Sequence, residues 1–347
     1  MDGTFWSDMP CMGILLVLLF ILGGCCSLPQ CPSGADGTMV PDPLTTGTLL
    51  ATPGGQPLSP KTLLEKMQPA QVIYLGEQHD NPYHHQLQRA ILAKLLAQGK
   101  RPAIGFEFFS RDQTGWLMQF TVGKPSPFAL PQPDDPGEAL RKKLGWEKRP
   151  DWANYFPLLE LAREYHLPVF GADLPDGLRV RLTRSGLEGL SAIERAEWSS
   201  TGFSQESYRQ LMLQKLSHAH CGMAPESLLE RQYVTWLARN DAMAHSIALI
   251  VTERPDEPVL MILGAGHVAH DMGVYERVAF LQPGIRQFNL GFKGTDATDP
   301  TPARFLESVQ MGETLFPPEH PFVWLTPAAP SDADPCAKLL RPGPKGD

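Results

Sequence analysis

The sequence has little positive charge. It contains 30 Lys and Arg residues against 38 Asp and Glu residues, which gives a formal net charge of −8. A protein that binds nucleic acid normally carries a basic face, so this balance disfavours that class and predicts no nucleic-acid partner. Charged residues make up only 20% of the 347 residues and hydrophobic residues 42%, a composition typical of a folded globular protein.

Several catalytic and metal-binding motifs are missing. The sequence has no G-x-x-x-x-G-K-[ST], no G-x-S-x-G and no H-E-x-x-H. These absences remove support for a phosphate-binding loop, a hydrolase nucleophile elbow and a zincin helix. No C-x-x-C occurs either, which disfavours zinc knuckles and thioredoxin-type redox sites.

Long hydrophobic runs are also scarce. Gly13–Leu22 is an uncharged run of ten residues, whereas a membrane-spanning helix needs about 20 and a signal-peptide core about 7–15. The run ends in Leu22-Gly23-Gly24-Cys25, which resembles a bacterial lipobox. We therefore predict a lipoprotein signal peptide over 1–25, lipidation at Cys25 and a lipid-anchored location in the cell envelope. A plain secretory signal and a buried N-terminal helix are the alternatives, and the absence of Lys and Arg before Gly13 departs from a positive signal n-region.

Proline is concentrated at both ends of the chain. Residues 28–60 contain seven prolines and residues 317–347 contain eight. This distribution predicts a Pro-rich tether over 26–60, a globular domain over 61–316 and a Pro-rich tail over 317–347.

The six cysteines lie at positions 11, 25, 26, 31, 221 and 336. Cleavage of the signal peptide and acylation of Cys25 would leave four, which allow three pairings. A Cys26–Cys31 bridge and a bridge to Cys336 both remain open.

Within the domain, short apolar runs alternate with helical patterns. Ser59-Pro60 and Asn81-Pro82 are typical helix starts. The alternation predicts an α/β fold, with a mainly parallel sheet and helices on both faces. Residues 174–250 contain helical patterns only and are predicted to be a small inserted helical subdomain. Residues 124–150 are predicted to be a long loop with at most one short helix. The strand candidates are Gln71–Leu75, Ala103–Glu107, Leu167–Gly171, Pro258–Leu263, Arg286–Leu290 and, more weakly, Phe322–Leu325.

Polar side chains follow these strands at the point where each one ends. The first strand leads into Gly76-Glu77-Gln78-His79 and the fourth into Gly264-Ala265-Gly266-His267, while Glu107 ends the second. Because the carboxyl ends of parallel strands meet at one edge of a sheet, where ligands bind, these groups should converge. The predicted pocket rim consists of Glu77, His79, His84, Glu107 and His267.

Six stretches together resemble the ChaN-like family of bacterial haem-binding lipoproteins. They are Leu75–Gln88, Gly105–Glu107, Asp151-Trp-x-x-Tyr155-x-Pro157, His218-x-His220-Cys221-x-Met223, Asp241-Ala-Met243-Ala244 and Gly264–Val268. The resemblance implies an iron-regulated lipoprotein that faces the periplasm or lies in the outer membrane, with an α/β domain and a small helical one. It also implies haem as cofactor and a homodimer that holds two haems face to face. We therefore expect a membrane-anchored protein of haem or iron uptake.

Haem needs an axial donor to its iron, and two residues are candidates. Tyr155 is the first, because a phenolate is a hard, anionic ligand that suits ferric iron. His220 is the second, as ligand or as partner to a propionate, from the same or the other subunit. The predicted haem surface combines the strand-end rim, the 124–157 loop and the His218–Met223 turn, with His79 and His267 shaping the rim by hydrogen bonding.

A second hypothesis comes from a wider resemblance to Tiki-type metalloproteases and erythromycin esterases. These proteins are similar in their paired G-x-x-H turns and an intervening Glu. On this hypothesis His79, Glu107 and His267 bind a divalent metal ion in a hydrolase, since a catalytic site needs about three protein ligands and one open position. The first hypothesis predicts no enzyme. A plain interaction scaffold is a third alternative.

Overall fold

A computed structural model of the chain describes residues 42–123, 135–198, 200–203, 205–296, 303–329 and 336. These residues contain an eight-stranded sheet and a separate two-stranded one. The large sheet consists of β1 (Thr48–Ala51), β2 (Gln56–Pro57), β3 (Val72–Glu77), β4 (Ala103–Ser110), β5 (Val169–Asp173), β6 (Val259–Gly264), β7 (Gln287–Thr295) and β10 (Phe322–Pro327). The small one is β8 (Val309–Met311) paired with β9 (Thr314–Phe316).

The strand order in the large sheet is β2-β1-β10-β7-β3-β6-β4-β5. The six strands from β10 to β5 are all parallel, and only β1 and β2 run antiparallel to their neighbours. The mainly parallel sheet predicted from the sequence is confirmed. Every residue of β3 and β6 is buried, as expected for central strands that are covered on both faces.

The described residues contain ten α-helices. They are α1 (Pro60–Met67), α2 (Pro82–Ala97), α3 (Thr114–Thr121), α4 (Pro136–Lys143), α5 (Trp152–Glu164), α6 (Asp176–Ser185), α7 (Ala192–Glu197), α8 (Glu206–Ala219), α9 (Glu226–Glu253) and α10 (Val274–Leu281). The predicted starts of α1 and α2 are confirmed. Ser59 accepts a hydrogen bond from the Thr62 amide and Asn81 accepts one from the Tyr83 amide, each at 3.0 Å, and proline follows each cap.

Two apolar layers sandwich the sheet. On one face, side chains of α1, α2 and α5 pack against Ile73, Leu75 and Ile104. On the other, α9 and α10 pack against Tyr74 and Met261. Successive residues of β3 therefore point to opposite layers, which is the alternation that a strand imposes.

The described residues between β5 and β6 form helices and no strand, as the sequence predicts for 174–250. This insertion is continuous with the main core, because Met243, Ala244 and Ile247 of the long helix α9 pack against the sheet. None of the helices that the structure describes is long and apolar enough to cross a membrane.

The sheet extends past the predicted domain boundaries of 61–316. Strands β1 and β2 lie within the range predicted as tether, and β10 lies within the range predicted as tail. The predicted boundaries were wrong because they were placed where proline becomes frequent. Pro57 lies in the edge strand β2 and Pro327 is the last residue of β10, and both are positions that tolerate proline. The predicted loop 124–150 contains α4, and its residues 124–134 lie outside the described residues.

A disulfide joins Cys221 to Cys336 across 115 residues of chain. It fixes the turn between α8 and α9 to a residue near the C-terminus, which selects one of the bridges to Cys336 that the sequence left open. The predicted signal peptide and Cys25 lie outside the described residues.

Candidate functional site

Four of the five residues predicted to form the rim lie together at the carboxyl edge of the sheet: Glu77, His79, Glu107 and His267. Strands β3 and β6 are neighbours, with Glu77 opposite Gly264, so the two G-x-x-H turns begin side by side. Glu77, Glu107 and His267 are only 2–3% exposed. These residues form two buried hydrogen-bonded groups, one centred on Glu77 and one on Glu107.

The Glu77 carboxylate is surrounded by donors. The Tyr155 hydroxyl and the Gln88 amide nitrogen each lie 2.5 Å from one of its oxygens, and Nδ1 of His79 lies 3.3 Å away. The His79 side chain is 52% exposed, so it lies between this buried carboxylate and solvent. Burial lowers the pKa of His79, but the hydrogen bond to Glu77 and the charge of Glu107 outweigh it and raise the pKa above its ordinary value.

The Glu107 carboxylate is held by a different set of partners. It accepts hydrogen bonds from Arg239 Nη2 at 2.7 Å and from the Gly264 amide at 2.5 Å, and His267 Nε2 lies 3.2 Å away. Arg239 also donates through Nε to Asp173 at 2.8 Å. Burial would raise the pKa of Glu107, but His267 and Arg239 outweigh it and hold the pKa well below the usual range.

The metal-site interpretation of His79, Glu107 and His267 is not supported by this geometry. The guanidinium of Arg239 forms an ion pair with the Glu107 carboxylate. Its fixed positive charge disfavours binding of a metal cation at the same carboxylate. No group of three or more His, Cys, Asp and Glu side chains is arranged to hold a metal ion within the described parts of the chain.

Two predicted site residues are placed differently from what the sequence suggested. His84 is fully buried, where its Nδ1 accepts from the Gln78 amide and its Nε2 faces Thr326, so it is not part of an open rim. The Tyr155 hydroxyl is directed to Glu77 inside the core, and burial together with the Glu77 charge raises its pKa above the ordinary range. Because this hydroxyl is directed to Glu77 and the side chain is buried in the core, the structure does not place Tyr155 at an open haem surface.

An open cleft of about 490 Å³ lies between α6, α8 and α9, within the size range of ligand sites. We call it the α6–α9 cleft. Nine residues line it: Arg179, Val180, Thr183, Arg184, Leu216, Gln232, Thr235, Trp236 and Arg239. It adjoins the strand-end rim, because the Trp236 indole stacks on the His267 ring with centroids 3.8 Å apart and Arg239 bonds Glu107.

His220, the second predicted iron ligand, borders this cleft. It caps the C-terminus of α8, and its Nε2 lies 3.0 Å from the side-chain oxygen of Gln232, a lining residue. The disulfide at Cys221 fixes the same turn. The structure thus places the His218–Met223 turn beside the α6–α9 cleft.

Sequence reasoning missed the roles of Trp236 and Arg239. Both lie on α9, whose mostly apolar inner face is interrupted by the consecutive polar residues Arg239, Asn240 and Asp241. This interruption could have indicated a polar site, because three adjacent polar residues in a buried helix need hydrogen-bond or ion-pair partners. Their partners lie far away in sequence: Glu107 and Asp173 for Arg239, His267 for Asn240, and Arg277 for Asp241.

Comparison with known proteins agrees with this architecture. A family model described as "Haem-binding uptake, Tiki superfamily, ChaN" matches residues 63–278. A solved structure of ChaN from Campylobacter jejuni, described as showing cofacial heme binding, aligns with a TM-score of 0.58 and 16% identity over 80% of this chain and 96% of that one. At this identity the structural likeness establishes the fold alone.

Other solved structures are less similar. An erythromycin esterase mutant in its open conformation aligns with a TM-score of 0.41 and 13% identity over 78% of this chain and 83% of that one. A Bacillus cereus protein aligns with a TM-score of 0.38 and 13% identity over 73% of each chain. No curated protein sequence matches the chain. The family model covers more than half of the chain, which therefore belongs to the ChaN family of haem-binding uptake proteins in the Tiki superfamily.

Proposed function

We propose that this protein binds haem in the α6–α9 cleft. Haem is a flat apolar macrocycle that carries two propionate carboxylates and an iron with a free axial position. A site for it must offer apolar surface, positive charge and an axial donor. Membership of the ChaN family supports haem as the ligand, and the side chains that line the cleft support its location.

The apolar requirement is met by Trp236, Leu216 and Val180, which line the cleft. The charge requirement is met by arginines of α6. The Nε atom of Arg179 is buried and has no hydrogen-bond partner, although an unpaired buried donor is costly. A carboxylate would satisfy it with a charge-assisted hydrogen bond. This orphaned donor is the observation that best supports an anionic ligand here.

His220 is our candidate for the axial donor. It is partly exposed, whereas Tyr155 is buried in the core, and imidazole is a common axial ligand of haem iron. Because Gln232 holds the ring at the border of the cleft, a modest side-chain movement would make Nε2 available.

We further propose that two copies pair through this face. Val180 lines the cleft and is 43% exposed, and Met223, in the same turn as His220, is 69% exposed. Exposed apolar surface of this kind marks association sites, and a two-fold dimer would cover it on both copies at once.

The test is a haem titration of the full-length protein, followed by absorbance and by sedimentation velocity. Trp236→Ala should weaken haem binding at least tenfold, while Trp116→Ala, at an exposed tryptophan of α3, should not. His220→Ala should shift the absorption bands of bound haem, and haem should increase the dimer fraction. Circular dichroism confirms that each variant is folded. Absence of saturable binding by the wild type would refute the function.

We also propose that the protein is lipid-anchored at Cys25 in the cell envelope and takes part in haem or iron uptake. The Gly13–Leu22 run and the Leu22–Cys25 sequence support this. Acyl chains bind membranes with about 0.8 kcal/mol per buried CH₂, so two or more chains anchor stably. Cys25→Ser should accumulate as a larger, unprocessed precursor. A variant that migrates and fractionates like the wild type would exclude lipidation at Cys25.

A further inference from the structure

The residues that line the α6–α9 cleft carry an unusual combination of charges and donors. Three of the nine are arginines, one is tryptophan, and none of these described lining residues is Asp, Glu, His, Cys, Met or Tyr. The lining therefore offers positive charge and apolar surface but no direct ligand for a metal. In a chain with a net charge of −8, this positive cleft is a local feature.

The three arginines are not equivalent. Arg239 is bound to Glu107 and Asp173, so its charge is already compensated inside the molecule. Arg179 makes one ion pair, through Nη2 to the exposed Asp176, and an exposed pair of this kind contributes little. Its Nε remains buried and unpaired. Arg184 has no ion-pair partner among the residues that the structure describes.

Two cations of α6, Arg179 and Arg184, are thus available to a ligand of the cleft. A planar apolar ligand with two carboxylates would match both of them while its ring contacts Trp236. Iron is not needed for either interaction. The one axial donor that we assign, His220, lies outside the lining and is hydrogen-bonded to Gln232.

Building on the proposed function, we propose that the cleft recognises dianionic tetrapyrroles as a class, through their carboxylates and ring, whether or not a metal is bound. The protein then takes up metal-free porphyrins as well as haem. Arg179 and Arg184 determine this specificity, and His220 acts only when iron is present.

The experiment compares three ligands on the full-length protein by tryptophan fluorescence quenching: haem, metal-free protoporphyrin and protoporphyrin dimethyl ester. We expect the dissociation constants of haem and protoporphyrin to agree within about fivefold, and the ester to bind at least tenfold more weakly, because esterification removes both negative charges. The double variant Arg179→Gln/Arg184→Gln should weaken haem and protoporphyrin binding about 10- to 100-fold, the range of lost charge-assisted hydrogen bonds. It should have little effect on the ester.

Arg89→Gln is the matched control, since Arg89 is an exposed arginine of α2 away from the cleft, and it should bind like the wild type. His220→Ala should weaken haem binding more than protoporphyrin binding. If haem binds but protoporphyrin does not, or if the ester binds as tightly as the free acid, the class specificity is wrong and haem binding stands. If neither tetrapyrrole binds, the proposed function itself fails.

Discussion

His84 illustrates how a single imidazole is kept neutral in the interior. Its Nδ1 accepts the Gln78 amide hydrogen at 3.0 Å, so the proton is carried by Nε2, which lies 3.0 Å from the Thr326 hydroxyl. Protonation of Nδ1 would break the first hydrogen bond and place a charge in a fully buried site. Burial is the main cause that lowers the pKa of His84 to about 3, and the nearby His85 adds to it.

The lowered pKa of His84 predicts that the folded protein loses stability as the pH falls. Above about pH 6.5 the imidazole is neutral in both states, but below it the unfolded chain binds a proton that the folded protein does not. Between about pH 6 and 3, His84 should lower the unfolding free energy by about 1.4 kcal/mol per pH unit. His84→Asn keeps an acceptor for the Gln78 amide and should reduce that slope by the same amount in urea unfolding between pH 6 and 4. His218→Asn, at an exposed histidine of α8, is the matched control. Equal slopes for wild type and His84→Asn would contradict the prediction.

At the scale of elements, the strands that were predicted correctly from the sequence are those in which most or all residues are buried. The strands β3, β4, β5, β6 and β7 were each predicted, because central parallel strands are apolar throughout and are followed by glycine or polar turns. Strands β1 and β2 were missed because they pair antiparallel at the edge and lie among prolines, and proline counts as evidence against a strand in any local analysis. The pairing of β1 with β10 joins positions separated by more than 270 residues, which no local pattern encodes.

In the candidate site too, features set by local sequence were predicted, and those set by contacts distant in the chain were not. The G-x-x-H turns and Glu107 were predicted because residues at strand ends share an edge whatever the details of the fold. The assignment of Tyr155 to iron did not fit, since the sequence does not show that the phenol points inward to Glu77. Arg239 was missed for a related reason. Its partners Glu107 and Asp173 come from β4 and β5, and only the folded chain brings them to α9.

At the scale of the whole molecule, the Cys221–Cys336 disulfide connects two regions that the sheet alone does not join. One end lies in the turn that carries His220 beside the α6–α9 cleft, and the other lies beyond the last strand, β10. Disulfides of this kind persist in oxidising compartments, which agrees with the proposed location in the cell envelope.

Closing a loop of 115 residues removes conformational entropy from the unfolded chain, and loss of a native disulfide typically costs about 2–5 kcal/mol. Cys221→Ser and Cys336→Ser should each lower the unfolding free energy by about 3–5 kcal/mol, near the upper end because the loop is long. The double variant should be no less stable than either single one, since one bond is lost in all three. Urea unfolding under oxidising conditions measures this, and mass spectrometry of an unreduced digest of the wild type should show the peptide containing Cys221 linked to that containing Cys336. Unlinked peptides would show that the bridge does not form, and single variants as stable as the wild type would show that it does not stabilise the fold. Haem titration of the variants then tests whether haem binding at the His220 turn requires the bridge.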